Sequence, residues 1–319
     1  MEDAADRMRQ WGMEFSNLDQ ALFDGSGATK GDLVAYLDAV HARLVPALAG
    51  RALSVVRVRP GQEPFMQKNL PKYTPARVPS VTLWAESSRR DIRYALCDDR
   101  ETLLWFANQR AVEYHVTLSR AAAPDRPTHL VLDLDPPEGA GFDVVVRAAA
   151  PVRRALADAG LSGLVKTSGS KGVHVFVPVD ASDDDAAAAT RALAVRAERL
   201  DPDVATTAFI REDRGGRVFL DSTRAYGATV AAVYSPRIRP GVPVSFPVDW
   251  DDLGTVSPAD FTIRTVPGLL GDGDPWADRM PTPQRLPEDL VAEGHTIPVA
   301  RVQAMHEGKR RARARRADQ

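Results

Sequence analysis

Apolar residues at Leu33, Tyr36, Leu37, Val40, Leu44 and Leu48 fall three or four apart, so a helix is predicted from about Lys30 to Leu48. Thr29 is its N-cap, Pro46 bends its last turn, and Gly50 stops it. Residues 1–13 ahead of it read as a short amphipathic helix or an unstructured lead. The period then drops to two. Leu53–Arg59, Phe65–Lys68, Val81–Trp84, Ile92–Leu96 and Glu113–Leu118 read as strands, with a helix at Glu101–Gln109 that turns Leu104 and Trp105 inward. After the strand Leu130–Asp135, a helix is predicted over Asp143–Ala159, interrupted or kinked at Pro151. Strands Leu164–Ser168 and Gly172–Val177 flank a tight turn, and Asp184–Leu200 is an Ala-rich helix with an acidic first turn. Further strands are expected at Arg217–Asp221, Ala228–Tyr234 and Val242–Ser245. Helices are expected at about Pro287–Ala292 and Val299–His306, and the basic tail ends the chain.

The run His129-Leu-Val-Leu-Asp-Leu-Asp-Pro-Pro137 changes this picture from architecture to chemistry. Side chains alternate along a strand, so Asp133 and Asp135 share a face, with Leu134 opposite. Adjacent carboxylates repel unless a cation joins them, and Mg²⁺ or Mn²⁺ suits such oxygen ligands. The plainer alternative is a strand end that splays two acids into water.

Composition narrows the classes. At 44% hydrophobic and 26% charged, the 319 residues suit a globular protein with a real core. No run of 18 apolar residues exists, so no membrane helix is expected, and the acidic start lacks the apolar region of a secretory signal. The single Cys97 excludes an internal disulfide and a Cys-rich zinc site, which fits a reducing cytoplasm. Net charge is −2, but bases gather at Arg51–Arg59, Arg211–Arg217, Arg237–Arg239 and Lys309–Arg316.

Ser168-Gly-Ser-Lys-Gly-Val-His174 offers hydroxyls, a lysine and turn amides to an anion such as a nucleoside triphosphate, although exposed hairpin tips use the same residues. Asp221 ends a strand as Asp135 does, and a third carboxylate would complete an oxygen cage for two divalent ions. If Tyr234-Ser-Pro-Arg-Ile-Arg-Pro240 is extended, Arg237 and Arg239 alternate onto one face and could clamp phosphates; an exposed basic strand is the alternative. Arg214, in a polar loop, could join them or simply be solvated.

Together, Asp133-Leu-Asp135, Ser168–His174, Val218-Phe-Leu-Asp221 and Tyr234–Gly241 resemble the polymerase domain of bacterial ligase D, in the archaeo-eukaryotic primase superfamily. Asn17-Leu-Asp19, Ala28–Asp32, Leu48–Arg51, Phe65–Lys68 and Val112–His115 agree, so the likeness runs from about residue 14 to about 265. The resemblance implies an α+β, primase-like fold: mostly antiparallel sheets flanked by helices, in two closely packed lobes. The expected partition is a lead at 1–13 and a catalytic domain at 14–300, divided at about 14–110, 111–265 and 266–300, with a basic tail at 301–319. It implies template-directed nucleotidyl transfer from NTP or dNTP, with Mn²⁺ favoured over Mg²⁺ and ribonucleotides often preferred, in end-joining or gap repair. Asp133, Asp135 and Asp221 would hold two metal ions. Ser168, Lys171, Arg214, Arg237 and Arg239 would bind the triphosphate, His174 would shape the nucleotide pocket, and His115 would lie near the nucleotide sugar. Phe65 would stack on a base, and Lys30 and Lys68 would hold DNA phosphates, with Lys30 near a downstream 5′-phosphate. Expected partners are gapped, nicked or broken DNA, a separate ligase and Ku. A monomer in the bacterial cytoplasm, at the nucleoid, is expected.

The chain departs from the family in places. Gln20 stands where relatives commonly carry a lysine that grips the 5′-phosphate, and Ser222-Thr-Arg-Ala225 follows Asp221 in place of the usual Tyr-x-Arg-Asn pattern. The loop before Asp133 is short, and no Lys-x-Asp-Gly ligase motif exists, so a stand-alone polymerase that borrows its ligase is expected. The rivals are a non-catalytic DNA-end binding module of the same fold and a metal-dependent phosphohydrolase. The three acids oppose the first rival, and the Gly-Lys hairpin with its paired arginines opposes the second.

Overall fold

Thr29 begins the first long helix as the pattern requires. In the computed structural model, which describes residues 2–85 and 89–299, that helix spans Lys30–Leu48. The Thr29 hydroxyl accepts the Asp32 N–H while the Asp32 carboxylate accepts the Thr29 N–H, so two otherwise orphaned donors are satisfied at once. Contacts divide the chain into two compact units built from interleaved segments. One unit runs up to Pro124 and includes Lys166–Ser170 and Gly227–Arg279; the other takes the segments beginning at Asp125, Lys171 and Met280. Strands distant in sequence complete each sheet.

The first unit holds an antiparallel sheet in the order Thr229–Ala231, Ala111–Thr117, Leu53–Arg59, Arg90–Ala95, Ser80–Ala85, with Gln62–Gln67 also paired to Leu53–Arg59. Lys30–Leu48 packs on the helix Arg100–Asn108, and Glu2–Gln10 adds Ala4 and Met8 to the same core. The opening residues are therefore a docked helix. Two expected strands shrink. Ala228–Tyr234 reduces to Thr229–Ala231, and Tyr234 itself takes a left-handed backbone at φ 65°. Val242–Ser245 makes only isolated bridges, Pro236 to Val244 and Pro243 to Thr262.

The second unit is built on Ala205–Thr206, Val218–Asp221, His129–Asp135, Val173–Pro178 and the start of Leu164–Thr167, adjacent in that order. Leu130, Leu132 and Leu134 alternate to one face with Val173, Val175, Val177 and Leu220 beside them, all at most 1% exposed. The helices Phe142–Asp158 and Asp183–Leu200 pack against the central strand, so burial commits that face to the core. The first helix runs unbroken through Pro151. The helix Glu288–Thr296 packs on Asp183–Leu200, and a side chain at Gly294 would collide with the Ala188 carbonyl; this explains both the glycine and the run of alanines. Most of the predicted Val299–His306 helix and all of the 301–319 tail lie outside the described residues. No helix among the described residues is long and apolar enough to cross a membrane.

Candidate active site

With Leu132 and Leu134 committed to the core, Asp133 and Asp135 must project from the opposite face. Asp133 lies directly across from His174 on one neighbouring strand and from Asp221 on the other. Residues directly opposite in a sheet share a face, with Cβ atoms about 5 Å apart. Asp221, Asp133 and His174 therefore form one row, and Asp135 stands in the next row beside Phe219. Asp221 and His174 are buried, whereas the Asp135 side chain is 35% exposed. The acids thus run from the interior towards solvent.

Cations surround them. The Arg224 Nη2 lies 2.7 Å from Asp133 and 3.0 Å from Asp221, and His174 Nε2 lies 3.4 Å from the other Asp133 oxygen. Burial alone would raise the Asp133 pKa, but His174 and Arg224 outweigh it and hold the carboxyl far below the usual carboxylate range. Asp133 and Asp221 in turn hold the Arg224 guanidinium charged against its burial. Asp135 faces Lys171 at 3.5 Å and Arg214 at 3.4 Å. The Lys171 ammonium also donates to the Pro136 carbonyl. Arg214 lies 4.0 Å over the Phe219 ring and donates to the carbonyls of Ala208 and Phe209, which pre-sets the direction of its guanidinium. Among the described residues, no three carboxylate, imidazole or thiolate groups already enclose one point. The donor chemistry nevertheless fits a hard divalent ion: three carboxylates, one held firmly ionised, share one face.

Within the first unit, a second polar cluster joins Glu113, His115, Ser168 and Arg237. Glu113 Oε2 meets His115 Nε2 at 2.8 Å, and its Oε1 accepts the Ile238 N–H at 3.0 Å and lies 3.2 Å from Arg237 Nε. Arg237 Nη1 donates to the Ser168 carbonyl, and Arg239 Nε donates to Ser170 Oγ. Gly169 permits this. Its φ is +70°, and a Cβ there would come within 2.6 Å of Arg237 Cγ and 2.7 Å of the Ser245 nitrogen. Burial would raise the Glu113 pKa, but His115, Arg237 and the Ile238 N–H together hold it at about 2. A carboxyl depressed in the folded state stabilises the protein fully above its ordinary value and loses that contribution as pH falls through the folded value. Glu113 should therefore supply about 3 kcal/mol at neutral pH that disappears between pH 4.5 and about 2. Urea unfolding at pH 7 and pH 3 checks this: Glu113→Gln should lose markedly less stability on acidification than the parent.

Lys30, Phe65 and Lys68 lie elsewhere in the first unit. Lys68 is exposed, and the Phe65 ring has the guanidinia of Arg57 and Arg59 over it at 5.7 and 4.8 Å. Lys30, expected at a DNA phosphate, is only 2% exposed. Its ammonium donates to the Ser16 carbonyl and to Asn108 Oδ1, and burial with Arg110 nearby lowers its pKa to about 8. Arg110 itself donates to Gln20 Oε1 and to the carbonyls of Ala21 and Leu22. Arg110, Arg224 and Glu113 were not among the residues singled out from sequence. The signal for Arg224 was a lone arginine three residues beyond Asp221; nothing in the sequence places Arg110 beside Gln20.

The family described as LigD, primase-polymerase domain, matches residues 29–276. The chain belongs to this family. It is 32% identical over 287 residues to the bifunctional non-homologous end joining protein LigD of Bacillus subtilis, covering 88% of this chain and 46% of that protein. It is 31% identical over 309 residues to the multifunctional non-homologous end joining DNA repair protein LigD of Mycobacterium tuberculosis, covering 90% of this chain and 40% of that protein. The chain thus spans less than half the length of these LigD relatives. Among solved structures, it is similar to the polymerase domain of Mycobacterium tuberculosis ligase D in complex with DNA. The TM-score is 0.76 and the identity 30%, over 84% of this chain and 99% of that one. The α+β architecture of the LigD polymerase domain is therefore shared.

Proposed function

We propose that this chain is a template-directed nucleotidyltransferase that adds nucleotides to primer 3′-ends, filling gaps or extending broken ends in DNA repair. The observation that carries this reading is the row of Asp221, Asp133 and His174, with Asp135 on the same face. Asp133, Asp135 and Asp221 would hold two Mn²⁺ or Mg²⁺ ions, which when bound would activate the primer hydroxyl and offset the charge of the triphosphate. His174 and Arg224 keep Asp133 ionised and oriented. In the same unit, Lys171 and the pre-set Arg214 are the phosphate-binding cations. In the first unit, Ser168, Arg237 and Arg239 have the donors for phosphate, and His115 would meet the sugar of the NTP or dNTP. Phe65, flanked by guanidinia, would stack on a base, and Lys68 would meet the DNA backbone. Lys30 would meet a downstream 5′-phosphate only by exchanging its bonds to Ser16 and Asn108, and Arg110, bonded to Gln20, would be the second cation there. The DNA held by the solved relative supports DNA as a partner, and gapped, nicked or broken ends are the form this reading calls for. A separate ligase, Ku, a monomeric state and a place at the bacterial nucleoid complete the reading.

A labelled primer-template with a short gap, Mn²⁺, and either ribonucleotides or deoxynucleotides tests it. Lengthened primer is expected. Shortened primer would make the protein a phosphohydrolase, and a mobility shift with no turnover would make it a binding module.

A further inference from the structure

We propose that Glu113 is a positioning residue: it fixes His115 as a hydrogen-bond acceptor for a sugar hydroxyl of the incoming nucleotide and ties that imidazole to Arg237. This rests on the nucleotide site proposed above. Glu113 and His115 stand two residues apart on Ala111–Thr117 and share a face. The 2.8 Å contact between Glu113 Oε2 and His115 Nε2 needs one proton. The carboxylate, held ionised by its neighbours, has none to give. Burial lowers the basicity of His115, Glu113 opposes that, and the charges of Arg237 and Lys166 lower it further. The neutral ring must then carry its hydrogen on Nε2 and its lone pair on Nδ1. Nδ1 has no partner among the described residues.

The other carboxylate oxygen accepts the Ile238 N–H and faces Arg237 Nε, while Arg237 reaches the Ser168 carbonyl. One acid therefore sets both the imidazole tautomer and the arginine on the phosphate-binding loop. An acceptor nitrogen rewards a hydroxyl, and a ribose presents one more than a deoxyribose. A site built to accept that hydrogen discriminates against the sugar that lacks it.

Glu113→Gln separates these roles. Its single amide oxygen is claimed by Ile238 and Arg237, so its NH₂ turns to His115 Nε2 and forces the proton to Nδ1. Nitrogen-15 NMR of histidine-labelled protein should show the Nε2–H tautomer in the parent and the Nδ1–H tautomer in the variant. The ratio of kcat/KM for ribonucleotides to that for deoxynucleotides should fall roughly tenfold. An unchanged tautomer or an unchanged ratio in the folded variant overturns the proposal. Should the variant not fold, the parent spectrum decides: an Nδ1–H or protonated His115 at pH 7 overturns it, and an Nε2–H ring supports it. A parent that adds neither kind of nucleotide would instead refute the proposed function, and the tautomer would still report on Glu113.

Discussion

Replacing Asp133 with Asn is expected to lower nucleotide addition roughly 10³-fold while leaving a folded protein. Asp133 is the middle of the row, paired across the sheet with both Asp221 and His174. Asn matches its size and retains an acceptor for Arg224, but it removes the charge that His174 and Arg224 share and that a divalent ion would need. Arg224 keeps Asp221, 3.0 Å away, so no buried guanidinium is stranded. The expected cost to stability is therefore modest, about 1–3 kcal/mol. Primer extension measures the first quantity and urea unfolding the second. Near-parental extension by a folded Asp133→Asn protein would remove Asp133 from the metal site.

Gly169→Ala is expected to act by a different route, through stability and nucleotide affinity. The added methyl meets a left-handed backbone, costing about 1–2 kcal/mol, and overlaps the Ser245 nitrogen and Arg237 Cγ. The Arg237 side chain can yield, but the Ser245 backbone cannot yield without moving its neighbours, which adds about 1–3 kcal/mol. Displaced Arg237 loses Ser168 and leaves Glu113 with less of its compensating charge. The melting temperature should fall by several degrees, and the KM for nucleotide should rise at least tenfold. A variant with parental melting and parental KM would show that the turn does not position Arg237.

Much of the site was legible because period-two alternation is a local property. Leu132 and Leu134 could not be buried unless Asp133 and Asp135 faced the other way, and a strand before Pro136-Pro137 could end nowhere else. The same logic read Lys30–Leu48 to the residue, because its capping residues and apolar stripe lie within one segment. The reading weakened where partners come from afar. Val242–Ser245 looks like a strand but is held by isolated bridges to Pro236 and Thr262. Residues 1–13 were ambiguous because a nine-residue helix is stabilised by docking Ala4 and Met8, which nothing in those residues announces. Lys30 is expected at a downstream 5′-phosphate, but the bonds its ammonium makes to Ser16 and to Asn108, 78 positions away, are not encoded in its own segment.

By itself, the sequence determined the chemistry available: paired acids on a strand face, a Gly-Lys turn, a third strand-end acid and two alternating arginines. Tertiary structure alone decided how these groups are charged and aimed. Strand register puts Asp221 and His174 beside Asp133, and the chain after Asp221 returns Arg224 between the two acids. Packing sets Glu113 against His115 and Arg237. Alternation fixes the face a residue takes. The cation that neutralises an acid and the proton an imidazole keeps depend on distances across strands, which no local pattern encodes.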